Sequence, residues 1–137
     1  MIQLSAVLAA IKTAAQNDLP ALLYDADLSD FAVYHIGASR DAEQVGLFIY
    51  MNPYHYEYER ESVEAIIHLQ LYQQEEQDAA TYTDVVKNWL ASLDPSTLGC
   101  DILQSLEVDP YYDVKDRTSF VFIYPTWVRD RDTCDKE

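Results

Sequence analysis

The chain has 137 residues, 49% of them hydrophobic, with eleven tyrosines and a formal net charge of −15 from 24 acids against 9 bases. That length suits one domain, residues 1–137, with its own core, and so much apolar material excludes a disordered acidic chain. A surface this negative repels phosphate, which excludes duplex DNA or RNA as a direct, sequence-specific ligand. Basic protein surfaces fit better, as do copies of the chain itself meeting where charge is sparse; imitation of a phosphate row is a third reading, and plain solubilisation the simplest.

Leu4, Val7, Leu8, Ile11 and Ala15 recur at helical spacing and predict an amphipathic helix. Asn17-Asp18-Leu19-Pro20 is expected to close it, because a residue before proline is pushed out of helical geometry. Leu22-Leu23-Tyr24 then reads as a short strand or extended connector, and Asp25–Asp30 as a polar turn. Phe31–Ile36 and Val45–Met51 read as strands, the first stopped at Gly37-Ala38-Ser39 and the second at Asn52-Pro53. Tyr54-His55-Tyr56-Glu57-Tyr58-Glu59 alternates aromatic and polar residues, so Tyr54, Tyr56 and Tyr58 share one side of an extended segment.

Ser62–Gln73 alternates more cleanly. Val63, Ala65, Ile67, Leu69 and Leu71 point one way and Glu64, Ile66, His68, Gln70 and Tyr72 the other, the pattern of an antiparallel strand with one buried face. Tyr82, Val85, Val86, Trp89, Leu90 and Leu93 predict a helix over 78–93, about 24 Å long, capped by Asp78 or Thr81 and stopped by Asp94-Pro95. Cys100–Asp109 and Thr118–Val128 read as two strands around a projecting loop or bulged turn at Pro110–Arg117. Phe120, Phe122 and Tyr124 share a face opposite Val121 and Ile123, so this last strand is either covered on both sides or keeps one face for another subunit. A charged tail follows from about residue 129. This order predicts an α+β fold: a mixed, largely antiparallel sheet with two main helices on one face.

No apolar run approaches the ~20 residues of a membrane span, and Met1–Ala15 is interrupted by Gln3, Ser5, Lys12 and Thr13, unlike a signal peptide. A soluble, cytoplasmic protein without membrane contact is expected. Cys100 and Cys134 read as two reduced thiols, with a bridge as the alternative.

Chemistry-bearing patterns are sparse. His35, His55 and His68 all fall on strand-like segments and none sits at metal-binding helical spacing; His55 with Glu57 is at most a half-site. Gly37, Gly46 and Gly99 are the only glycines, too few for a phosphate-cradling loop, and no Gly-x-Ser-x-Gly elbow occurs. The expectation is no enzyme, no cofactor and no metal. Tyr54, Tyr56, Tyr58, Tyr111 and Tyr112, with Phe120 and Phe122, are the candidate interface residues, since tyrosine buries area while keeping its hydroxyl bonded; the alternative is that these rings cover edges of the domain's own sheet.

The stretch from Ser62 to Asp132, with its long strand Ala65–Tyr72, polar break Gln73–Asp78, helix Tyr82–Leu93 and strand pair ending Phe120–Trp127, resembles the tail-terminator and tail-completion proteins of long-tailed bacteriophages. The resemblance lies in element order, size and acidity. It implies a ring of copies, often six in members of that family, that caps a tail tube, joins it to the head alongside other tail or head-completion proteins, and ends up in the virion. Strand edges and long loops would make the ring contacts, and Glu57, Glu59, Asp109, Asp113 and Asp116 would be loop acids lining a channel. A monomeric acidic inhibitor or immunity-type protein that binds one basic partner is the alternative.

Overall fold

The computed structural model describes residues 3–38, 43–51, 62–113 (backbone alone from 111) and 117–129. Along the chain come α1 (Leu4–Asp25), β1 (Val33–Ile36), β2 (Gly46–Met51), β3 (Ser62–Tyr72), α2 (Glu76–Ser92), a 3-10 turn (Pro95–Leu98), β4 (Ile102–Asp113) and β5 (Thr118–Val128). The strands form one five-stranded sheet in the order β1-β2-β3-β5-β4. Only β1 and β2 run parallel; the other three pairings are antiparallel. This is the expected α+β fold with a mixed, mostly antiparallel sheet.

The expected end of α1 at Pro20 is wrong. The helix runs on to Asp25, so Leu22-Leu23-Tyr24 is helical and neither a strand nor a connector. Proline inside a helix removes one backbone bond and costs about 3 kcal/mol. Tertiary packing outweighs that cost: Val7, Ile11, Ala15, Leu19 and Leu23, a strict four-residue repeat across the proline, are all buried. Leu23, fully buried beyond the expected stop, alone recovers about 1.5–3 kcal/mol.

The core lies between the helices and one sheet face. Val63, Ala65, Ile67, Leu69 and Leu71 of β3 meet Leu47 and Ile49 of β2 and Val121, Ile123 and Trp127 of β5, all within one buried cluster with the apolar sides of α1 and α2. The β3 alternation read from the sequence is the one observed. The β3–β5 register is constant, yet it skips Ala65 and Ile66, the positions opposite Pro125 and Tyr124. Proline has no N–H to give a ladder, which is why it is rare in an interior strand.

Helix α2 begins at Glu76, with Glu75 at the cap position and no side chain closing it; the expected caps Asp78 and Thr81 lie inside the first turns. Thr81 instead donates its hydroxyl to the Gln77 carbonyl. Two bonds tie α2 to its surroundings: the Trp89 indole N–H donates to Asp18 of α1 at 2.9 Å and the Tyr82 hydroxyl to the Ser29 carbonyl at 2.6 Å. The expected Pro110–Arg117 loop is also corrected. β4 continues through Pro110 to Asp113, paired with β5 as far as Asp113↔Thr118. Pro110 is tolerated because β4 is an edge strand with one side unpaired. Among the described residues no helix is long and apolar enough to cross a membrane.

Candidate functional site

Both helices pack on one side of the sheet, and among the described residues no helix lies on the other. Cross-strand register places a single row over that open face: His35 beside Phe48, Phe48 beside His68, His68 beside Phe122, and Phe122 beside Asp109. The aromatic members touch. His35 meets Phe48 edge-on at 6.2 Å, Phe48 tilts against His68 at 5.8 Å, and His68 stacks on Phe122 at 4.5 Å with 19° between the planes. Phe120 adds a further contact to His68 at 5.8 Å. Offset and edge-on ring pairs of this kind contribute beyond the area they bury.

Gly46 makes the row possible. A Cβ there would stand 2.8 Å from the Phe48 ring, so only glycine lets that ring fold back along its own strand. Phe48 is 3% exposed and His68 7%. Burial holds the His68 imidazole down to about 4 from its ordinary 6.5, because desolvation penalises the charged form. Its Nε2 has no hydrogen-bond partner among the described residues. At neutral pH His68 is therefore uncharged, so the row carries no charge from Phe48 through His68 to Phe122.

Carboxylates gather at the β4–β5 side of this face. Glu107 lies opposite Tyr124 and Asp109 opposite Phe122, and Glu64 of β3 pairs across to Thr126, whose hydroxyl donates to it at 3.3 Å. Tyr124 stands among these acids. Its hydroxyl is held above the usual phenol range by burial and then by Asp109 and Glu64. Tyr50 is raised likewise, by burial and then by Tyr124. Among the described residues this face carries no lysine or arginine. Aromatic faces beside carboxylates are the combination that accommodates a cation: the rings offer negative faces and the acids opposite charge.

Of the residues expected at an interface, Phe120 and Phe122 lie half-buried on this open face; Asp109, expected as a loop acid lining a channel, instead lies exposed on β4 beside them. Tyr111, Tyr112 and Asp113 belong to the β4 backbone rather than to a loop. Tyr54, Tyr56, Tyr58, Glu57, Glu59, His55, Asp116 and Cys134 lie outside the described residues. Cys100 is buried, its thiol donating to the Leu98 carbonyl at 3.7 Å. The described residues contain no group of three or more His, Cys, Asp and Glu suited to a metal. His35 and His68 share a face but are separated by Phe48, and Phe122 separates His68 from Asp109, so no acid–base set converges there.

On the helix side a groove of about 610 Å³ runs between α1 and the end of α2, lined by Ala9, Thr13, Asn17, Asp18, Asp94 and Thr97 among others. Its two acids have structural duties: Asp18 holds Trp89, and Asp94 accepts the Ser96 N–H that starts the 3-10 turn. The outward positions of α1 beside it, Ala6, Ala9, Thr13, Asn17 and Tyr24, are exposed and carry no charge.

Phe48, Tyr50, Glu64 and Glu107 were not singled out from the sequence, whereas His68 was weighed only as a metal or catalytic histidine and Tyr124 only as sharing a face with Phe120 and Phe122. The alternation already put Glu64 and His68 on the non-core side of their strand, and strand order was the missing quantity. Compared with known families and with curated proteins, the chain matches no family model and no curated sequence.

Proposed function

We propose that this chain is a structural assembly protein that works by docking to other protein molecules. The supporting observation is a pair of unlike exposed surfaces on opposite sides of one sheet. One is the outer side of α1 at Ala6, Ala9, Thr13 and Asn17, uncharged in a chain of net charge −15, beside a groove whose two acids, Asp18 and Asp94, are held in hydrogen bonds of the fold. The other is the aromatic face edged by Glu64, Glu107 and Asp109. An assembly component needs one surface for its own copies and another for the next part. Small, uncharged helix positions let a second backbone approach closely without like-charge repulsion. Self-association into a ring that caps a phage tail tube is the form suggested by the resemblance in element order. Edge pairing through β4 is a poorer route to such a ring, since Pro110, a register shift at Leu103/Ser105 and the acids Glu107 and Asp109 all guard that edge.

Sedimentation of the purified chain tests this reading. A mass at a multiple of 15.7 kDa is expected. The double variant Ala9→Glu with Thr13→Lys, whose new charges pair along the helix and preserve it, should return the monomer. A wild type that stays at 15.7 kDa at every accessible concentration removes the ring. The carboxylates on the open face favour the second reading in that case: a monomeric acidic protein that binds one basic partner.

A further inference from the structure

We propose that the open sheet face is the docking surface for an extended, arginine-bearing segment of a different, basic protein, seated over Phe122 and Tyr124 between Glu64, Glu107 and Asp109. This rests on the docking reading above and names the partner class of one of its two surfaces.

The occupant follows from charge and spacing. Glu107 and Asp109 are exposed, project from the same side of β4, and have no cation partner among the described residues. Two positions along a strand place them about 7 Å apart. An extended peptide has the same repeat, so arginines at every second residue would face them in step. Phe122 and Tyr124 lie directly across from these acids and are half-buried, which leaves part of each ring open. A guanidinium laid on such a ring while it pairs with a carboxylate satisfies both its flat face and its N–H fork, which a lysine ammonium does less well. The neutral, desolvated His68 behind Phe122 contributes no opposing positive charge. A second copy of this chain is a poor source of the cation, because its 9 bases are scattered among 24 acids.

Titration calorimetry of the full chain with a blocked six-residue peptide alternating glycine and arginine tests the proposal, with sedimentation run on the same samples. One-to-one binding is expected, weakened about tenfold by Glu107→Gln with Asp109→Asn. Asp25→Asn with Asp84→Asn, which removes equal charge from the helix side, should leave it within about twofold. The lysine version of the peptide should bind more weakly. Equal loss in the two double variants would mean attraction to net charge alone and overturns the proposal, as does no binding by the wild type at low salt. A multimer that ignores the peptide sinks this partner class and leaves the assembly reading standing. A monomer that ignores it sinks both, and a monomer that binds it sustains the proposal and removes the ring.

Discussion

Acidification should cost this protein stability through one residue, His68. The imidazole stays neutral in the folded state until about pH 4, whereas the unfolded chain takes up the proton near 6.5. Between those values the unfolded state binds more protons, so stability falls as pH is lowered through the window. Above 6.5 nothing is lost, and below about 4 both states are protonated and the loss is complete. The full span corresponds to about 3 kcal/mol at 1.36 kcal/mol per tenfold, an upper figure because solvent reaches the open face from one side. The measurement is a difference between two proteins, so that contributions common to both cancel. His68→Phe keeps a ring between Phe48 and Phe122 and removes both the titration and the unpartnered Nε2. Urea unfolding followed by the fluorescence of the buried Trp89 and Trp127 would be run for both proteins from pH 7.5 to 4. The wild type should lose about 2–3 kcal/mol more than the variant across that range. Parallel curves would show that the imidazole is already solvated, and would refute the buried aromatic row.

Two further substitutions probe the backbone choices behind this architecture. Gly46→Ala places a methyl group 2.8 Å from the Phe48 ring; the displaced ring should lower stability by about 1–3 kcal/mol and alter the ring-current shifts of His68 in proton NMR. Pro20→Ala restores an amide that can bond back to the carbonyl at Gln16 in α1. It should stabilise the protein by about 1–3 kcal/mol, read as a rise in Tm of several degrees, whereas a fall would mean that proline's restriction of the unfolded chain outweighs the missing bond.

The elements most legible in the sequence were those with one buried side. β3 and α2 followed from period-two and period-3.6 patterns, since a single face of each meets the core. Both misplacements fall at a proline. At Pro20 local geometry argued for a break that packing overrode, and at Pro110–Arg117 a polar stretch too long for a tight hairpin read as a loop, although the edge position of β4 lets its strand run on through Pro110. The open face was half legible. Phe120, Phe122, Tyr124 and Asp109 could be read as exposed or interfacial, but Phe48 and Glu64 join them only once β5 is known to insert between β3 and β4. That order is set by long-range pairing, which no local pattern in a single chain encodes.

The proline opposite Ala65 has a mechanical outcome. A sheet gains its stiffness from continuous ladders, and this one is unstitched for two residues at the seam between its two longest interior strands. The seam passes beneath Tyr124 and Ile66, beside the corner where Glu64 and Glu107 stand. Twist is cheapest where cross-links are missing, so this corner can swivel to meet an uneven visitor while the stacked rings around His68 hold their places.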